Sequence, residues 1–171
     1  MMKRVLIIDT SILCVWLKVP GKETCGPDKN HWNKQQVDAK LDEELTKKTI
    51  FVLPLASIIE TGNHIAQAAQ SRKKCGEELA DLMRKSADEE SPWAAFSDQS
   101  VLWSPEKLKA LADSWPDLAA QKLSLGDATI KDVAEYYGKI GYAVEIFTGD
   151  QGLKSYEPAA PAAIPRRRRR R

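Results

Sequence analysis

The stretch 4–13, RVLIIDTSIL, decides how the rest of the chain is read. Val5, Leu6, Ile7 and Ile8 form an unbroken apolar run rich in β-branched residues. A run that does not alternate with polar residues marks a strand covered on both faces, as in a parallel sheet. It ends on Asp9, and a carboxylate at the mouth of a hydrophobic sheet is costly unless hydrogen bonds or a cation compensate it.

Three further runs, TIFVL at 49–53, QSVLW at 99–103 and AVEIF at 143–147, read as strands. Helical patterns separate them. In ASIIETGNHIAQAA, Ile58, Gly62, Ile65 and Ala69 line one stripe. SPEKLKALADSW opens with Ser104 as a helix cap and Pro105 at the first helical position. In DATIKDVAEYYGKIG, Ile130, Val133, Ala134 and Tyr137 follow helical spacing, and Gly141 stops the helix. Residues 18–34 read as a Gly/Pro-containing loop leading into a helix near 35–48, and 70–88 as a helix that breaks at EESPWAAFSD. Strands alternating with helices predict an α/β fold, a three-layer α/β/α sandwich around a mainly parallel sheet.

The totals agree with one globular domain. Of 171 residues, 43% are hydrophobic and 29% charged, which excludes a disordered chain. The net charge of +2 conceals an asymmetry, since six of the 26 basic residues are the terminal Arg166, Arg167, Arg168, Arg169, Arg170 and Arg171. The body is mildly acidic. We divide the chain into a domain over 1–156 and a Pro/Ala linker with poly-Arg tail over 157–171. The tail is suited to phosphate contacts, in competition with its reading as an added tag or a solvated terminus. Cys14, Cys25 and Cys75 are odd in number and irregularly spaced, which argues against a disulfide framework. Asp9 interrupts the first apolar stretch too early for a secretory signal, and no run approaches the ~20 residues of a membrane helix. The expectation is a cytoplasmic protein with no membrane association.

Asp9 has counterparts. Asp150 follows VEIFTG, Asp127 opens the helix of SLGDATIKD, and Glu60 lies in the helix after the second strand. In an open parallel sheet the carboxyl ends of strands and the following helix starts share one edge, where ligands bind. Four carboxylates gathered there repel one another, and a hard divalent cation, Mg²⁺ or Mn²⁺, relieves the repulsion and suits phosphoryl chemistry. Each acid alone also has an ordinary reading as a cap or turn former. Ser11 and Thr148 stand within two residues of Asp9 and Asp150, where short hydroxyls can orient a ligand carboxylate. Asn63, one turn beyond Glu60, is a candidate for orienting it or touching a phosphate, with His64 and Gln67 beside it. Lys131 is within reach of Asp127 on a helix, whereas Asp132 turns away and reads as solvated. Trp32 and Trp93 lie in polar irregular segments, as base-stacking or partner-plugging candidates, and Trp16 and Trp103 read as packing residues.

In order, DTSIL, ASIIETGNHI, SLGDATI and FTGDQGLKSY resemble the acidic motifs of the PIN-domain ribonucleases, a family that includes toxins of bacterial toxin–antitoxin systems. The resemblance spans roughly residues 4–156. It implies a PIN-like fold and a metal-dependent endoribonuclease, toxin-type or defence-related, in which a metal-activated water hydrolyses RNA. Asp9, Glu60, Asp127 and Asp150 match the catalytic and metal-holding acids, and Ser11, Asn63, Ser124 and Thr148 the supporting or substrate positions. RNA is the implied substrate, an antitoxin or regulatory protein an implied partner, and a homodimer is compatible with it. Many members carry another acid two residues past the last one; here that residue is Gly152. The alternative reading is a catalytically inactive PIN-like module that binds RNA or protein. A phosphatase of the haloacid dehalogenase type would need a second acid two residues after Asp9, where Ser11 stands. A dinucleotide site would need a Gly-x-Gly-x-x-Gly turn, which the chain lacks after its first strand.

Overall fold

The structure, a computed structural model, describes residues 2–161. The order is β1 (Arg4–Ile8), α1 (Thr10–Trp16), β2 (Thr24–Cys25), β3 (Trp32–Asn33), α2 (Lys34–Thr46), β4 (Ile50–Val52), α3 (Leu55–Gln67) and α4 (Arg72–Ala87). A 3₁₀ segment (Phe96–Trp103), α5 (Pro105–Ala120), α6 (Leu125–Lys139), β5 (Ala143–Phe147) and α7 (Gln151–Lys154) complete it. The main sheet is three-stranded and parallel, in the order β4-β1-β5, with Ile7 paired to Val52 and Ile146 and Ile8 to Phe147. β2 and β3 pair antiparallel as a separate ribbon within the segment read as a loop.

Because side chains alternate along a strand, β1 feeds two cores. Leu6 and Ile8 join Phe51, Leu53 and Phe147 against Ile12, Leu13, Val37, Ile65 and Leu79. Val5 and Ile7 join Val52 and Ile146 against Ile130, Val133, Ala134 and Tyr137 of α6. Helices therefore flank the sheet on both faces, which is why its central strand reads as continuously apolar. Ser104 caps α5, and Pro105 is its first residue. Gly141, at φ +94°, ends the turn after α6.

The expected strand at 99–103 is a correction: these residues lie in the 3₁₀ segment. The buried Gln99 side chain donates to the Leu53 carbonyl (2.9 Å) and accepts from the Leu55 amide (3.1 Å), tying the end of β4 to the start of α3. Its neighbours Val101 and Trp103 are 50% and 42% exposed, so the apolar composition that imitates a strand faces outward, and Trp103 is not the packing residue expected. The outer edge of β4 is met instead by residues 92–94, through hydrogen bonds from the Phe51 amide to the Pro92 carbonyl and from the Ala94 amide to the Phe51 carbonyl (2.8 Å each). α3 also ends before Ala69, which is exposed rather than part of the apolar stripe.

At the amino-terminal end of the sheet, Glu44 is fully buried. It accepts from Thr49 Oγ1 (2.6 Å) and Lys40 Nζ (3.0 Å) and pairs with Lys47 (3.1 Å) and Arg4 (3.5 Å). Burial alone would raise its pKa, but the Thr49, Lys40 and Lys47 hydrogen bonds outweigh it and bring the carboxyl down to about 2.

Candidate functional site

The opposite edge of the sheet is built differently. Asp9 leaves β1 in extended conformation and caps α1. Its Oδ2 accepts from the Ser11 amide (3.3 Å), from Ser11 Oγ (2.8 Å) and from Thr148 Oγ1 (2.7 Å). Each hydroxyl in turn accepts a backbone N–H from the last motif, Ser11 Oγ from Gly149 (3.0 Å) and Thr148 Oγ1 from Asp150 (3.0 Å). With the acceptor face of both hydroxyls so engaged, their protons are directed to Asp9. One carboxylate oxygen is thereby held by the first and last motifs together, and Oδ1 accepts no hydrogen bond among the described residues. That is how an orienting shell leaves one oxygen for a ligand.

Asp150 caps α7, its Oδ1 accepting from the amides of Gly152 (2.7 Å) and Leu153 (3.2 Å). Gly152, where many PIN-domain ribonucleases carry an acid, contributes a backbone donor to Asp150. Ser124 caps α6, its Oγ accepting from the Asp127 amide (3.0 Å). Asp127 is half-buried, and its pKa is raised to about 6. Burial is the main cause, partly offset by the Ser124 hydroxyl and reinforced by the negative charges of Asp9, Asp150 and Glu60. Glu60 belongs to the same edge: Thr10 Oγ1, the residue after Asp9, donates to its Oε2 (3.1 Å).

Asp9, Glu60 and Asp150, from distant parts of the chain, thus each act on Asp127. Among the described residues none of them forms an ion pair with Lys or Arg. Nor, among those residues, are three Asp, Glu, His or Cys side chains grouped ready to enclose a metal ion. The donors at this edge are carboxylate oxygens, the type that hard divalent cations such as Mg²⁺ and Mn²⁺ take, and Mg²⁺ uses one or two carboxylates while keeping several waters.

Other expected residues fare less evenly. Asn63 is exposed and His64 half-buried, and the hydrogen bond to Glu60 comes from Thr10 instead. Lys131 is engaged by Glu135 (2.7 Å) rather than by Asp127. Asp132, read as solvated, is half-buried and raised in pKa chiefly by burial; it lines a cavity between α5 and α6 with Lys107, Ala110 and Leu111. Trp93 is buried, stacked on Trp16 (6.4 Å) and edge-on to Phe51, while Trp32 packs edge-on to Phe147 (4.8 Å). Both indoles are used inside the fold. Arg166 to Arg171 lie outside the described residues.

Sequence reasoning passed over Thr10, Gly126, and the Cys25–Gly26 segment. A Cβ at Gly149 would lie 2.8 Å from Cys25 Sγ and 2.8 Å from the Gly26 nitrogen, so the β2 ribbon packs directly on the last acidic motif. Comparison with known protein families, curated proteins and solved structures finds no significant match for this chain. No described helix is long and apolar enough to cross a membrane.

Proposed function

We propose that the chain is a PIN-like, metal-dependent endoribonuclease whose acidic edge holds Mg²⁺ or Mn²⁺. The observation that supports it is the placement of Asp9, Glu60, Asp127 and Asp150 along one sheet edge with no basic partner among the described residues, where burial first and the other three acids after it push Asp127 up to about 6. Asp9, through Oδ1, and Asp127 are the residues that would hold the ion directly, with Glu60 and Asp150 completing the negative field. When bound, the cation supplies Lewis acidity toward a phosphodiester and activates water at neutral pH. The chain's own part is positional. Ser11 and Thr148 fix Asp9, and Ser124 fixes the start of α6. In the same reading, RNA is the substrate, a regulatory protein such as an antitoxin acts by masking the acidic edge, and the protein is cytoplasmic. A second reading, a non-catalytic RNA- or protein-binding module, draws on the lack of a ready-made three-ligand group and on Gly152.

Incubating purified protein with total RNA separates the two. Cleavage in Mn²⁺ that is abolished by EDTA and by Asp127→Asn is the expected result. Intact RNA together with an absence of Mn²⁺ binding would replace the nuclease by the binding module.

A further inference from the structure

The Glu60 carboxylate sits in a socket formed by two residues of other elements. Its Oε2 receives the hydroxyl of Thr10, which is 7% exposed and stands immediately after Asp9. Its Oε1 lies against Gly126, immediately before Asp127, so closely that a Cβ there would be 2.4 Å from Oε1 and 3.2 Å from Cδ. Contacts at that separation do not occur between real side chains. Glu60 therefore fits only because residue 126 has no side chain, and its position is referenced at one oxygen to the start of α1 and at the other to the start of α6. These are the two elements that carry Asp9 and Asp127.

We infer that Thr10 and Gly126 are positioning residues that set Glu60 between Asp9 and Asp127 for cation binding, an inference that rests on the metal-site reading above. Gly126 needs no left-handed backbone, since it lies in the first turn of α6, and its other near neighbour, Ala56 Cβ, would be at an ordinary 3.7 Å. Alanine there meets only the mobile end of Glu60. It displaces that carboxylate at little cost to the fold and improves the helix itself.

This gives a test in which stability and metal binding move in opposite directions. Mn²⁺ affinity is read by electron paramagnetic resonance of the free ion, with thermal midpoints measured in EDTA, for the wild type, Gly126→Ala, Thr10→Val and Thr10→Ser. Loss of an orienting partner typically weakens metal binding about 10–100-fold. We expect Gly126→Ala to lose about tenfold in Mn²⁺ affinity while its midpoint holds or rises. Thr10→Val should lose a comparable factor, and Thr10→Ser, which keeps the hydroxyl, should stay within about twofold of wild type. Wild-type affinity in both Gly126→Ala and Thr10→Val, beside a wild type that binds, overturns the clamp and leaves the metal site standing. A wild type that binds no Mn²⁺ overturns the metal-site reading and the clamp with it.

Discussion

Asp127→Asn should make the protein more stable at neutral pH while removing the proposed activity. In the folded chain the Asp127 carboxyl is raised from 3.8 to about 6, by burial first and then by Asp9, Asp150 and Glu60. Between those two values the folded state holds more protons than the unfolded one, so stability falls as pH rises through that window and is then constant. The full shift corresponds to about 3 kcal/mol. Solvent reaches part of the group, and screening reduces the figure to about 1–2 kcal/mol. Asparagine also forfeits a negative charge in the first turn of α6, worth about 0.3–1 kcal/mol. Relief of the buried charge wins, and the net gain is about 1 kcal/mol, or about 2–4 °C in midpoint for a chain of this size. Thermal denaturation in EDTA at pH 7.5 and pH 4 measures it. The variant should melt higher at pH 7.5, and the difference should close toward pH 4, where wild-type Asp127 is protonated. Equal midpoints at both pH values, or a variant that melts lower at pH 7.5, would refute the raised pKa of the Asp127 carboxyl.

Two further outcomes follow from groups other than those four acids. Glu44, lowered from 4.5 to about 2, contributes stability that is fully present above pH 4.5 and lost as pH falls toward 2. Glu44→Gln should cost about 3 kcal/mol at pH 7 and flatten the acid limb of a urea-denaturation series. Gln99→Ala leaves the Leu53 carbonyl and the Leu55 amide without their side-chain partner and should cost about 2–3 kcal/mol by the same measurement.

Legibility in the sequence tracked how local each cause is. β1 and β4 announce themselves because burial on both faces writes a nearly unbroken apolar run, and α6 because its stripe and its Ser124 cap lie within one segment. QSVLW misleads for the opposite reason: Gln99 is fixed by backbone groups some 46 positions earlier, and Val101 and Trp103 are left outside. The acids were legible from their places at strand ends and helix starts, and the roles of Ser11 and Thr148 from their nearness to them. Asp132 was misread because it lines a cavity between α5 and α6, which its own helix does not announce. Thr10 was hidden between two more conspicuous residues. Gly126 carries no signal of its own, since the need for a missing side chain arises from Glu60 on another helix.

The two ends of the sheet show how one chain treats the same charge in two ways. At the amino-terminal end, Glu44 is fully buried and supplied with Lys40, Lys47, Arg4 and Thr49, so the carboxylate is stabilised and its pKa falls. At the carboxyl-terminal end, Asp9, Glu60 and Asp150 have hydroxyls and backbone amides as donors, no described basic partner pairs with them or with Asp127, and Asp127 rises, chiefly through burial. The chain does not lack cationic side chains, since Lys131 lies one helical turn beyond Asp127 yet is drawn to Glu135. Hydroxyl and amide donors orient an anion without neutralising it, which suits a site whose positive charge comes from elsewhere. A divalent ion at that edge should therefore raise the midpoint of the wild type by mass action, about 2.7 kcal/mol at a hundred times the dissociation constant. The gain should shrink in Asp127→Asn and remain intact in Glu44→Gln. A monovalent salt at equal ionic strength separates this from screening, which would relieve the repulsion at Asp127 while weakening the ion pairs of Glu44.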